Sequence, residues 1–183
     1  AQLPKLLRDA ELRELLEADV VAEAALELSR LTDKYAFFDA DGLHELLLLL
    51  GDLTQQEIQA RASADRNSPA DVTAWLAQLQ KVRRVVRIKI AGEPRYIAAE
   101  DAARFRDGLG AVPPAGLPDA FLEPVADPLG DLVSRYARTH IPFRAEDVAT
   151  RLGLGIAPIH AALQRLAARD RVVEGEFLPG GRG

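Results

Sequence analysis

Arginine and lysine placed at intervals along a β-branched run can hold phosphate. Residues 81–95 carry six such cations: Lys81, Arg83, Arg84, Arg87, Lys89 and Arg95. Successive side chains on an extended strand point to opposite faces. Val86, Ile88 and Ile90 therefore share one face, and Arg87 and Lys89 share the other. A ribbon of this kind offers charge to a nucleic-acid backbone, whose phosphates contribute affinity without sequence information. A sparser second set follows at Arg165, Arg169, Arg171 and Arg182. The competing reading is that these cations coat a solvated strand face and the chain serves as a protein–protein scaffold or oligomerisation module.

Covalent chemistry finds no foothold. No Gly-x-x-x-x-Gly-Lys segment is present, and no Gly-x-Gly-x-x-Gly follows a strand. Gly153-Leu154-Gly155 reads as the turn between two helices. His44, His140 and His160 are far apart in sequence, with no metal-ligand spacing, and are expected to be surface or half-buried structural residues. Asp39-Ala40-Asp41-Gly42 resembles the start of a calcium loop, but Leu50 stands where a bidentate Glu is required. Glu100-Asp101 reads as the acidic start of a helix. The chain has no cysteine, which excludes disulfides and thiolate metal sites and is compatible with the reducing cytosol. No catalytic residue, metal site or cofactor is expected in this segment.

Composition bounds the architecture. The 183 residues accommodate one or two domains, and with only 5% aromatics the core must be built from Leu, Val, Ile and Ala. The longest apolar run, residues 46–50, is far too short for a bilayer, so no membrane partner is expected. The net charge of −5 is unevenly spread. Residues 1–60 hold 5 basic and 13 acidic side chains, whereas residues 61–95 hold 8 and 3. Residues 96–134 hold 2 and 7, and residues 135–183 hold 8 and 5. Positive charge thus collects where the cationic ribbons lie, and a local basic face can bind phosphate on an acidic chain.

The elements that position these cations occur twice. With an offset of 87, Leu76 falls on Leu163, Leu79 on Leu166, Arg84 on Arg171, Val85 on Val172 and Val86 on Val173. Each copy is an amphipathic helix, a short basic turn and a β-branched run leading into a Gly-containing hairpin. That is the second half of a winged helix-turn-helix. The expected class is mainly α with small β-hairpins (α+β), as tandem winged helix-turn-helix modules joined by a Pro-rich linker. An N-terminal helical segment spans 1–40, with helices over 3–17 and 20–31 and Asp19 as a cap. The first module spans 41–109. Its elements are an apolar, buried helix over 42–50, a helix over 54–63 opened by the Thr54–Glu57 capping box, a third helix from Ser68-Pro69, the wing, and a helix over 98–109. Residues 110–126 form an extended, stiff linker. The second module spans 127–183, with helices from Asp127-Pro128, over 145–152 and over 156–168, and Arg144 as a weak cap for the middle one. The chain stops before a returning wing strand, so it reads as a piece of a longer polypeptide.

In such modules the third helix meets the major groove and the wing meets the backbone or minor groove. The exposed faces expected here are Asp71, Thr73, Ala74, Gln78 and Lys81 in the first, and His160, Gln164, Arg165 and Arg169 in the second. Neither carries a dense Arg/Asn/Gln set for reading bases.

Residues 52–183 resemble the region after the motor core of the large helicase-related (Lhr) family, the long bacterial DNA repair helicases. The likeness is carried by Gly51-Asp52-Leu53-Thr54 with Glu57, Trp75-Leu76-Ala77, Arg84-Val85-Val86-Arg87 and Tyr96-Ile97-Ala98-Ala99-Glu100-Asp101-Ala102. It continues through Ala120-Phe121-Leu122-Glu123-Pro124-Val125, Asp127-Pro128-Leu129, Arg135-Tyr136-Ala137-Arg138-Thr139-His140, Val172-Val173-Glu174-Gly175-Glu176-Phe177 and Pro179-Gly180-Gly181-Arg182-Gly183. The resemblance implies tandem winged helices followed by a β-barrel, organised like DNA glycosylases that remove damaged bases. It implies a bacterial cytoplasmic parent that translocates 3′–5′ on DNA with ATP and Mg held by motor domains outside this chain. The partners implied are DNA, the helicase core, further C-terminal modules and a possible second copy. It carries no catalytic residue onto this segment.

Overall fold

The computed structural model describes residues 17–169 and residue 172. Helix α1 occupies 17–28, with Asp19 inside it rather than at its start; the helix expected over 3–17 lies almost wholly outside the described residues. Helix α2 (Ala40–Leu50) is capped by Asp39, whose carboxylate accepts from the Gly42 amide at 2.7 Å. It ends at Gly51, where φ is +82°. Thr54 and Glu57 close the reciprocal box that opens α3 (Gln55–Gln59). Ser68 and Asp71 do the same for α4 (Pro69–Lys81), with Pro69 in its first turn.

Helix α3 is shorter than the capping pattern suggests. Ala62 leaves it to bridge Phe37, whose amide donates to the Arg61 carbonyl at 3.2 Å and whose carbonyl accepts from Ser63 at 2.8 Å. Likewise, Leu48 and Leu49 keep 40% and 41% of their surface, because α2 buries one face rather than its whole circumference.

Strands β1 (Val85–Ile90) and β2 (Glu93–Ala98) pair antiparallel, with Val86 opposite Ile97, Arg87 opposite Tyr96 and Ile88 opposite Arg95. Leu53 bridges Tyr96 at the open side of β2. The tight turn holds Ala91 and Gly92 at φ +52° and +76°, the left-handed pair that matches the twist of a two-residue hairpin. A 3-10 turn (Ala99–Asp101) then leads into α5 (Ala102–Leu109). The helix expected from Ala98 is delayed because Ala98 still pairs with Val85.

Alternation along the ribbon explains the packing. Val85 and Ala98 point into a core with Phe37, Leu43, Leu47, Ile58, Val72, Leu76 and Leu79. Their neighbours Val86 and Ile97, with Ile88, point the other way. They join Phe105 of α5 to α6 (Pro128–Thr139), α7 (Ala145–Leu152) and α8 (Ile156–Ala168) through Leu132, Val133, Val148, Ile159 and Leu166. The ribbon is a shared wall between two helical units. Residues 110–126, expected as an extended, stiff linker, also pack against the second unit. Ala111 and Leu117 are buried in the second core, with Phe121 and Leu122 against it, so this segment is held by packing rather than by proline stiffness.

Helix bounds follow the sequence repeat: α4 and α8 are each 13 residues long and start at Pro69 and Ile156, an offset of 87. Arg144 precedes α7 as expected, and its amide donates to Asp147 at 2.8 Å, half of a capping box. The turn between α7 and α8 rests on the tip of the ribbon. A Cβ at Gly153, where φ is +66°, would lie 2.9 Å from that of Ala91. The ribbon expected at 172–183 lies, apart from Val172, outside the described residues.

Candidate nucleic-acid interface

The six cations of residues 81–95, of which only Arg87, Lys89 and Arg95 lie on the ribbon strands, meet three fates. Lys81, Arg87 and Lys89 are exposed, and among the described residues none of them forms an ion pair. Arg87 and Lys89 alternate with buried Ile88 and Ile90, so the strand's own period aims them outward. Arg83 is exposed but tied back, its Nη1 donating to the Ala115 carbonyl at 2.6 Å. Gly116 makes room for it, since a Cβ there would stand 2.6 Å from the same nitrogen.

Arg84 is engaged internally. It donates to Asp41 at 2.6 Å and to His44 Nδ1 at 3.2 Å. A guanidinium only donates, so the imidazole proton sits on Nε2, which donates to Glu100 at 3.1 Å. His44 is more deeply buried than the expected surface or half-buried position, with both ring nitrogens engaged.

Arg95 corrects the sequence reading. It lies opposite Ile88 on the inward face of β2, with only 4% of its surface exposed, and cannot reach a phosphate. Its Nη1 donates to Asp52 at 2.8 Å and to the Arg151 carbonyl at 2.6 Å. In the second unit Arg165 pairs with Asp127 at 3.2 Å, and Arg169 is exposed at the end of α8. Arg171 and Arg182 lie outside the described residues.

The exposed face of α4 is sparse, as its sequence indicates. The Asp71 carboxylate is occupied by the Ser68 amide and hydroxyl, which also hold it below the usual carboxylate range. The Thr73 hydroxyl accepts from Gln55 at 3.0 Å. Gln78 and Lys81 remain as side chains that could address a groove.

Sequence reasoning missed the polar junction that fixes the two units. Arg151 of α7 donates from Nη1 to both Glu57 oxygens at 3.0 Å, from Nε to Asp52 Oδ2 at 3.1 Å and from Nη2 to the Asp52 carbonyl at 2.6 Å. Arg135 of α6 grips Asp101 with both terminal nitrogens, at 2.9 and 2.8 Å. Burial pushes the Asp52 carboxyl up, and the flanking guanidiniums of Arg151 and Arg95 oppose it. Burial also works against ionised Glu57, but the Thr54 amide and Arg151 outweigh it and hold its carboxyl low.

His140 borders the same junction, half-buried and stacked on Tyr136 with ring centroids 3.8 Å apart. Burial pushes its pKa below the ordinary imidazole value, with Arg151 and Arg61 adding to the shift. A depressed imidazole pKa gives stability that is complete above the unfolded value and lost as pH falls through it. The thermal midpoint should therefore drop as pH falls below about 6.5. A His140→Gln variant should flatten that part of the profile; an unchanged profile would remove His140 as its source.

Three helices closed by an antiparallel ribbon, with the third helix leading directly into it, define a winged-helix domain. Residues 14–124 match the model described as "Large helicase-related protein, winged-helix domain". The chain belongs to the large helicase-related family. It is 43% identical over 175 residues to a Mycolicibacterium smegmatis protein named "Lhr helicase/ probable uracil glycosylase", an alignment covering 96% of this chain. It is 35% identical over 171 residues to the Escherichia coli K12 "Lhr helicase/uracil glycosylase", covering 93% of this chain. The chain spans 11% of the length of each relative. No helix among the described residues is long and apolar enough to cross a membrane.

Proposed function

We propose that this chain is a non-catalytic, tandem winged-helix part of a DNA repair helicase and that it contacts the DNA backbone without sequence preference. The carrying observation is the outward pair Arg87 and Lys89 on β1, with Lys81 exposed at the end of α4, cations with no ion pair among the described residues. Exposed charge of this kind favours phosphate and releases counterions on binding. The scarcity of base-reading side chains on α4 supports lack of sequence preference. The matching bounds of α4 and α8, with Val72 and Ile159 buried at equivalent positions, support a second module over 127–183. ATP hydrolysis and strand translocation are assigned to motor domains outside this chain, as is any glycosylase chemistry of the kind named in the two relatives.

The test is DNA binding by this chain across a salt series. Each phosphate-contacting cation removed should lower the slope of log affinity against log salt by about 1. Arg87→Ala with Lys89→Ala should thus reduce the slope by about 2 on duplex DNA of any sequence, leaving the thermal midpoint unchanged. An unaltered slope rules the ribbon out. Leu48 and Leu49, exposed side by side on α2, support the second reading of a scaffold or self-association surface. Sedimentation separates the two, since a stable oligomer indifferent to DNA supports the scaffold.

A further inference from the structure

Aromatic side chains are scarce in this chain, at 5%, yet two of them stand on the surface three residues apart. Tyr35 keeps 36% of its surface and Phe38 keeps 52%, while Phe37 between them is buried. Each exposed ring carries a cation. The Arg30 guanidinium lies 4.1 Å and the Lys34 ammonium 4.9 Å from the Tyr35 centroid. The Arg66 guanidinium lies 4.8 Å from that of Phe38.

The backbone holds this arrangement in place. Arg30 turns the chain at the end of α1 with φ +60°, a conformation unfavourable to a side chain with a Cβ. Phe37 bridges Ala62 and lies against Trp75 of α4, with ring centroids 6.1 Å apart. Phe38 is thereby fixed relative to α4, and Arg66 sits in the turn just before the Ser68 cap of that helix. Glu27, 4.0 Å away, partly compensates Lys34. Among the described residues Arg30 and Arg66 form no ion pair, although Asp33 and Asp65 are near in sequence.

We infer that Phe38 and Tyr35, with Arg30 and Arg66, form a stacking platform for unpaired bases of single-stranded DNA, distinct from the ribbon. The inference builds on the proposed DNA role and adds a strand preference. Aromatic rings receive bases of any identity through their π faces, guanidinium planes extend the same stack, and the cations meet the phosphates between bases. A duplex keeps its bases stacked internally and offers this surface nothing to receive. The half-exposed ring of Phe38 is the principal seat.

The experiment compares binding of oligothymidylate and of duplex DNA by fluorescence anisotropy, using the whole chain. Phe38→Ala should weaken oligothymidylate binding about tenfold and leave duplex binding unchanged. Tyr35→Ala should act in the same direction, and Phe38→Trp should retain wild-type affinity. Circular dichroism melts confirm that each variant is folded. Unchanged oligothymidylate binding in both alanine variants overturns the platform, as does equal weakening toward both DNA forms. The ribbon variant Arg87→Ala with Lys89→Ala separates the two ideas. If it leaves duplex binding intact while Phe38→Ala weakens only the single strand, the ribbon reading fails and the platform stands.

Discussion

Arg151→Met should lower the stability of the fold by about 3 kcal/mol, the cost of removing one guanidinium from the buried Asp52 carboxylate. Arg151 satisfies Asp52 and Glu57 together, through four hydrogen bonds of 2.6–3.1 Å. Without it, Asp52 keeps only Arg95, and Glu57 keeps only its place in the Thr54 capping box. Methionine retains much of the stem volume, so the loss reports charge and hydrogen bonding rather than a cavity. Urea denaturation gives the size of the effect. A double-mutant cycle with Glu57→Gln should return a coupling of about 1–3 kcal/mol, because the two residues touch. A coupling near zero would mean that the pair is incidental and that apolar packing alone sets the angle between the units.

Ile97→Ala should cost about 3 kcal/mol, within the usual range for truncating a fully buried isoleucine. For a chain of this size that is a fall of roughly 10 °C in thermal midpoint. Its informative part is the shape of the transition. Ile97 belongs to the ribbon of the first unit but is packed with Phe105, Leu132, Val148 and Ile159. If the ribbon is a shared wall, wild type and variant each melt in one cooperative step by calorimetry and circular dichroism. Two separate steps, with only one moved by Ile97→Ala, would show that the units fold independently.

These expectations bear on the proposed DNA role. Winged helices linked by a flexible tether would present their cationic ribbons at a range of angles. Here the α7–α8 turn abuts the ribbon tip at Ala91, and Arg95 and Arg151 bind across the seam. The outward row of Arg87 and Lys89 is therefore oriented by the second unit as well as the first. A change at Gly153 or Arg151, neither of which is a proposed phosphate contact, should alter binding through that orientation.

Much of this was written locally along the chain. Ser68-Pro69 and Asp127-Pro128 announce two helix starts, and Thr54 with Glu57 announces a third. In each, the cap and the amides it satisfies lie within one turn, so adjacent residue types suffice. The alternation of Val86, Ile88 and Ile90 with Arg87 and Lys89 likewise identified which cations face water. The 87-residue repeat is matched by two helices, α4 and α8, that begin 87 positions apart.

Arg95 and Arg151 escaped that logic for a common reason. A single arginine in the short run Arg95-Tyr96-Ile97 does not declare its face, because the phase of β2 is set by its pairing with β1 and by the hydrogen bonds between Tyr96 and Leu53. Arg151 meets Asp52 across 99 positions of sequence, with nothing local to either residue that marks the other as a partner. Residues 110–126 are similar, since their prolines describe backbone stiffness but not the cavity that Ala111 and Leu117 fill. Local patterning reports which bonds a residue can make with its neighbours and which side it turns to water. Whether a charged side chain is free for a phosphate or committed to a buried carboxylate depends on what the folded chain brings beside it, and that is a property of long-range packing.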